Sequence, residues 1–173
     1  MSTIKISDGI VKDDILVVGV SIKSGKGALT IESGDLALDS KALIATLNDL
    51  GATGKNDEVT LVPGTTTRLI AFTGLGKSAS SYDDEVLRRA AGAAARALAG
   101  NSSATFALPA KTESAVKAIA EGAGLGSYLF DQFRGSTKTA QKQPLKTITV
   151  YSSLVKGAEA KALAHHAEVI SKY

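Results

Sequence analysis

One stretch of this 173-residue chain decides its fold class: Ile15-Leu16-Val17-Val18-Gly19-Val20-Ser21-Ile22. Nearly all of its residues are apolar, and most of them are β-branched. A strand with one solvent-exposed face alternates apolar and polar residues, whereas an unbroken apolar run is typical of a strand covered on both faces. The stretch therefore predicts a central strand with helices on either side, as in a three-layer α/β domain.

Strand-like and helix-like segments alternate on both sides of this run. Further strands are predicted at 29–32, 59–62, 68–73, 105–108 and 147–151. Helices are predicted from a cap at Asp39 or Ser40 to a stop at Gly51, from 81–84 to about 99, from about 112 towards 130, and from 158 onwards. About six strands and four helices predict a mixed sheet between layers of helices.

Composition removes several classes of chemistry. The chain has no Cys, and its two histidines, His165 and His166, are adjacent. Disulfide scaffolds, thiolate zinc sites and cysteine nucleophiles are therefore excluded. Adjacent histidines on a helix point about 100° apart, so these two are not expected to chelate one metal ion. No catalytic and no metal-binding residue is predicted anywhere in the chain.

Charge and hydropathy give no sign of a membrane or nucleic-acid protein. The net charge is only +3, from 20 basic and 17 acidic residues. No apolar run reaches transmembrane length, and the first eight residues lack the pattern of a secretion signal. A cytoplasmic chain is the expectation. One basic tract, residues 134–146, leaves a nucleic-acid-binding module open as an alternative, although the tract lacks interleaved aromatic residues and is predicted to be a loop.

A glycine-rich segment at residues 71–78 carries the other alternative. Its sequence, Ala71-Phe72-Thr73-Gly74-Leu75-Gly76-Lys77-Ser78, fits a permissive phosphate-loop pattern. In such a loop, backbone amides at the glycines cradle a phosphate or the diphosphate of ADP-ribose, Lys77 contacts phosphate and Ser78 contacts magnesium. The next helix, however, is predicted to start several residues too late, and no strand ends in a metal-binding Asp. A glycine turn at the end of a strand is therefore the prediction.

A second glycine cluster, Gly122-Ala123-Gly124-Leu125-Gly126, lies inside a predicted helix. Its spacing does not match a dinucleotide-binding turn. Glycine inside a helix costs about 1 kcal/mol relative to alanine. Close packing against another backbone is therefore the predicted reason for these glycines.

Four stretches, in this order, resemble the N-terminal domain of the leucyl aminopeptidase (cytosol aminopeptidase) family. They are Leu50-Gly51-Ala52-Thr53-Gly54-Lys55, Phe72-Thr73-Gly74-Leu75-Gly76-Lys77, Leu87-Arg88-Arg89-Ala90-Ala91-Gly92-Ala93-Ala94, and the segment 120–133. The last is the most distinctive, with its Ala-Glu-Gly start, Gly-Ser-Tyr centre and Phe-Asp-Gln-Phe end. The resemblance extends over essentially the whole chain.

The resemblance implies a macro-domain-like fold and a structural role. Members of this family remove N-terminal residues from peptides with two divalent metals, zinc or manganese, held in a separate C-terminal catalytic domain. The Asn-Thr-Asp-Ala-Glu-Gly-Arg signature of that domain does not occur in this chain. Residues 1–173 are therefore expected to be a single non-catalytic N-terminal domain. Its implied partners are its own catalytic domain and further copies of the parent, which is a hexamer in the family.

Overall fold

The computed structural model describes residues 2–10, 14–25, 27–128 and 142–171. In these ranges the chain forms seven strands and four helices. In chain order they are β1 (Thr3–Ser7), β2 (Ile15–Ile22), β3 (Leu29–Glu32), α1 (Ser40–Asp49), β4 (Val59–Pro63), β5 (Leu69–Lys77), α2 (Asp84–Ala97), β6 (Ser103–Ala107), α3 (Glu113–Gly126), β7 (Thr147–Tyr151) and α4 (Gly157–Ile170).

The seven strands form one mixed sheet with β2 at its centre. The strand order is β1-β7-β6-β2-β5-β4, and β3 pairs with the end of β2 beyond β6. Neighbours from β1 to β5 in this order run parallel, whereas β4 is antiparallel to β5 and β3 is antiparallel to β2. Seven of the eight residues of β2 are buried. The unbroken apolar run is thus the covered central strand that the sequence predicts.

Helices cover both faces of the sheet, so the mixed three-layer α/β fold is confirmed. On one face, α2, α3 and α4 pack over alternate residues of the strands, among them Val17, Phe106 and Ile148. On the other face, Leu47 of α1 packs with Val18 and Phe72. The alanines of α2 are almost all buried, and small side chains let that helix approach its neighbours closely.

The sequence missed one strand. β1 lies at the edge of the sheet, beside β7, in a segment that looked merely polar. Only Ile4 of its five residues is fully buried. A five-residue edge strand with one buried side chain carries too few apolar residues to be distinguished from a loop.

Two element ends differ from the predicted ones. The prediction ended β5 at Thr73, but the strand continues to Lys77, so the glycine segment is strand and the predicted turn there is wrong. The helix α3 ends at Gly126 with Ser127 as its C-cap, short of the predicted end near 130. The remaining predicted elements are present with shifts of one or two residues.

Candidate functional site

The glycine segment of β5 uses its amides within the chain. Gly74 N–H donates to the carbonyl of Glu58 (2.9 Å), Gly76 N–H donates to the carbonyl of Gly54 (3.0 Å), and Ser78 N–H donates to Ile22 (2.9 Å). A phosphate loop needs such amides directed together at the ligand. In this segment two of the amides bond to the loop 54–58 and one bonds to β2, and no described contact supports a phosphate or ADP-ribose site at Gly74, Gly76, Lys77 and Ser78.

Gly74 is required because another backbone lies against it. A β-carbon built on Gly74 would overlap the carbonyl oxygen of Lys55, and one built on Gly76 would lie 2.6 Å from the Asn56 side chain. Gly76 also has a positive φ of 78°, which disfavours residues with a side chain. Two of the four family-like stretches, 50–55 and 72–77, are therefore a loop and a strand in direct backbone contact.

Glu58 holds that loop in shape. Its carboxylate accepts hydrogen bonds from Thr53 N–H (3.0 Å), Thr53 Oγ1 (2.8 Å) and Lys55 N–H (3.2 Å). Partial burial acts to raise the pKa of Glu58, but the hydrogen bonds from Thr53, Lys55 and Gly54 outweigh it and leave the pKa below its ordinary value. The carboxylate thereby fixes the carbonyl groups against which β5 packs.

The described parts of the other two family-like stretches, 87–94 and 120–128, meet in the helix pair α2 and α3, and residues 129–133 of the fourth stretch lie outside the described residues. A β-carbon on Gly122 would overlap the backbone carbonyl of Arg88, and one on Gly126 would overlap that of Gly92. The predicted close backbone packing of the 122–126 glycines therefore occurs. Each half of the contact comes from a different helix, so the two stretches depend on each other.

An ion-pair cluster lies across this helix contact. Arg88 Nη2 lies 3.2 Å from Glu121 Oε2, Lys117 Nζ lies 3.9 Å from Glu121 Oε1, and Arg88 also bonds Glu85. The Glu121 side chain is 11% exposed, so most of it is removed from water. Burial acts to lower the pKa of Arg88, but its bonds to Glu85 and Glu121 outweigh that effect and raise it. The cluster joins α2 to α3, which indicates a structural role.

One polar cluster was not found from the sequence. At the carboxyl end of β2, the Glu32 carboxylate accepts hydrogen bonds from Ser21 Oγ (2.8 Å) and from the Tyr82 hydroxyl (2.9 Å). Burial, with the nearby charge of Glu32, raises the pKa of Tyr82, so its hydroxyl remains a donor. The pairing of β3 with β2 brings Ser21 beside Glu32, and the Tyr82 hydroxyl reaches Glu32 from the segment before α2. The arrangement ties β3 to the segment that precedes α2.

The described residues do not fit a two-metal centre. Among residues 2–10, 14–25, 27–128 and 142–171, no group of three or more His, Asp or Glu side chains could hold a metal ion. His165 and His166 are both exposed on α4. No helix in the same ranges is long and apolar enough to cross a membrane.

Most of the basic tract 134–146 lies outside the described residues. At its described end, the side chain of Lys142 packs beside Gly100, and Lys146 N–H donates to the carbonyl of Ser102 (2.8 Å). Neither contact gives support for a nucleic-acid interface.

The fold is a mixed α/β domain in which Gly74, Gly122 and Gly126 let neighbouring backbone segments come into direct contact. Residues 17–138 match the model of the cytosol aminopeptidase family, N-terminal domain. A Streptomyces coelicolor protein named "Probable cytosol aminopeptidase" is 39% identical over 158 residues, covering 86% of this chain and 28% of that protein. A Streptomyces avermitilis protein of the same name is 37% identical over 176 residues, covering 92% of this chain and 34% of that protein.

Solved structures share the fold. A tomato leucine aminopeptidase mutant has a TM-score of 0.65 at 21% identity, covering 99% of this chain and 36% of its own. The bottromycin maturation enzyme BotP in complex with Mn has a TM-score of 0.61 at 19% identity, covering 92% of this chain and 30% of its own.

The chain belongs to the cytosol aminopeptidase family and corresponds to its N-terminal domain. It spans about a third or less of the length of the curated relatives it matches.

Proposed function

We propose that residues 1–173 form a single non-catalytic domain of a longer cytoplasmic metallo-aminopeptidase. The chemistry of the parent, removal of N-terminal residues from peptides, belongs in this proposal to a separate catalytic domain that carries two divalent metals, zinc or manganese. The observation that carries the proposal is the match of this chain to the N-terminal domain alone, over only about 28–34% of its relatives' length. The lack of a metal-ligand cluster among the described residues supports it.

The first test is turnover by the pure chain. With leucyl-p-nitroanilide and added manganese or zinc, we expect no release of p-nitroaniline above the metal-only blank, because no described residues are placed to hold two metals. The control is a full-length relative purified in the same way, which shows that the assay detects the activity. Metal-dependent turnover that co-elutes with the 173-residue chain would contradict the proposal.

The proposed role of the domain is to support assembly of the parent into a hexamer. The support for this role is the family to which the chain belongs. The test is to delete residues 1–173 from the full-length parent and to measure its mass by light scattering. We expect a smaller assembly. A hexamer that persists without these residues would show that the domain has another role.

A further inference from the structure

A groove of about 690 Å³ runs between strand β1 and helix α4. Consecutive residues from Ile4 in β1 to Asp8, directly after the strand, line one wall, and α4 with the turn before it lines the other. Successive side chains of a strand point to opposite faces of the sheet, so consecutive residues can line one groove only if it runs along the edge of the strand. The groove therefore follows the open edge of the sheet. Its apolar floor includes Ile4, Val155, Ala160 and Ala164.

The backbone of β1 offers hydrogen bonds to this groove. Thr3 N–H donates to the carbonyl of Lys146 (2.8 Å), and the Ser7 carbonyl accepts from Ser152 N–H (2.9 Å). The backbone hydrogen-bonding groups of the odd-numbered residues of β1 therefore point towards β7. The backbone N–H and C=O groups of Ile4 and Ile6 therefore point away from β7, towards the open edge of the sheet. Ile4 N–H donates to Glu168 Oε1 (2.7 Å), whereas the N–H and C=O of Ile6 have no partner among residues 2–10, 14–25, 27–128 and 142–171.

The charge along the groove selects its partner. Three lysines (Lys5, Lys156 and Lys161) and two acidic residues (Asp8 and Glu168) line it. Asp8 pairs with Lys156 (3.7 Å), and Glu168 accepts a hydrogen bond from the backbone of β1. The lining therefore carries an excess of one positive charge, and the exposed Lys161 complements an acidic side chain.

A second copy of this chain fits the edge less well. Two β1 strands paired about a two-fold axis perpendicular to the sheet would place both α4 helices on the same face. The exposed Lys161 side chains of the two copies would then lie on the same side of the joined sheet, and like charges brought together at an interface are unfavourable.

We propose that the β1–α4 groove binds an extended acidic peptide segment of another protein, which adds to β1 as an extra strand. Ile6 supplies the backbone hydrogen bonds, the apolar floor takes alternate side chains, and Lys161 attracts the acidic ones. This inference is independent of the proposed function, because it concerns only the surface of this domain.

The test uses the whole chain and a fluorescein-labelled heptapeptide of alternating valine and glutamate. Saturable binding by fluorescence anisotropy is expected, together with slower hydrogen exchange of the Ile6 amide and no change at Lys5, whose amide already faces β7. The same peptide N-methylated along its backbone keeps its charges but loses its donors, and a valine–lysine peptide reverses the charges. Neither is expected to bind.

Charge reversal at the groove provides the matched variants. Lys161→Glu is expected to weaken binding about tenfold, whereas Lys41→Glu, at an exposed lysine on the opposite face of the sheet, is expected to leave it unchanged. No saturable binding up to about 1 mM peptide would overturn the proposal. Equal binding of the N-methylated or lysine peptide would also overturn it, as would a stable dimer that closes this edge in sedimentation experiments.

Discussion

Glu58 shows how one side chain maintains the contact between two distant stretches. Its carboxylate accepts hydrogen bonds from the amides of Thr53 and Lys55. These bonds fix the carbonyl groups of Gly54 and Glu58, which accept hydrogen bonds from the amides of β5. A carboxylate that accepts several N–H bonds is stabilised in its charged form, so folding lowers its pKa. The chain should therefore lose the contribution of Glu58 when this group is protonated.

This gives a pH-dependent prediction for Glu58→Gln. Because the folded-state pKa lies below the ordinary value of 4.5, the stabilisation is fully present above pH 4.5 and is lost as the pH falls through the folded-state pKa. Since the carboxylate is partly exposed, we expect a loss of about 1 kcal/mol in the free energy of unfolding at neutral pH, and a smaller difference in acid. Urea denaturation at several pH values measures this.

The control for this series is Asp49→Asn, at an exposed carboxylate at the end of α1. It is expected to change the free energy of unfolding at neutral pH by no more than about 0.5 kcal/mol. A constant difference between Glu58→Gln and the wild type across the acid range would show that the carboxylate charge has no part in holding the loop.

At the scale of elements, α2 and α3 lie so close that their backbones touch. Gly122 and Gly126 permit this, and the same glycines lower the intrinsic helix propensity of α3. The helix pattern and its glycines together indicated close packing, but they did not identify α2 as the partner. That identity follows from the chain path, which places both helices on the same face of the sheet.

Gly122→Ala tests the backbone contact between these helices. The added methyl would overlap the carbonyl of Arg88, so a helix must shift, and we expect the free energy of unfolding to fall by about 1–3 kcal/mol. The matched substitution is Gly124→Ala on the same helix, where the nearest atoms belong to the side chains of Ile4 and Ser171 at 3.0 and 3.1 Å. Thermal or urea unfolding should rank Gly122→Ala as clearly less stable, and equal stability of the two variants would contradict the contact.

The elements that the sequence did not predict share a physical cause. β1 is short and half-exposed, so its pattern is weak, and it is a strand only because β7 lies beside it. The segment Gly74–Lys77 has the composition of a turn, but pairing with β2 and the loop 54–58 holds it extended. Local patterns succeed where a segment buries many apolar residues, as β2 does, and fail where tertiary contacts determine the conformation.

At the scale of the whole molecule, the described parts of the four family-like stretches form two backbone contacts. One joins the loop 50–55 to the strand 72–77, and the other joins α2 to α3. The sequence placed 50–55 in a loop and 87–94 and 120–126 in helices, but it predicted a turn where 74–77 is strand, and it did not show which stretches pair. The described segments of the chain also bring together no metal ligands. Residues 71–78, which resemble a phosphate loop in the sequence, therefore have a packing role in the fold.

The glycine segment of β5 acts as a packing element in the fold. The free energy of unfolding of Gly74→Ala, compared with that of Lys77→Ala, measures this. The first substitution places a methyl against the Lys55 carbonyl, whereas Lys77 is exposed at the end of its strand. We predict a loss of about 1–3 kcal/mol for Gly74→Ala and a change within about 0.5 kcal/mol for Lys77→Ala. A Gly74→Ala variant as stable as the wild type would contradict the account.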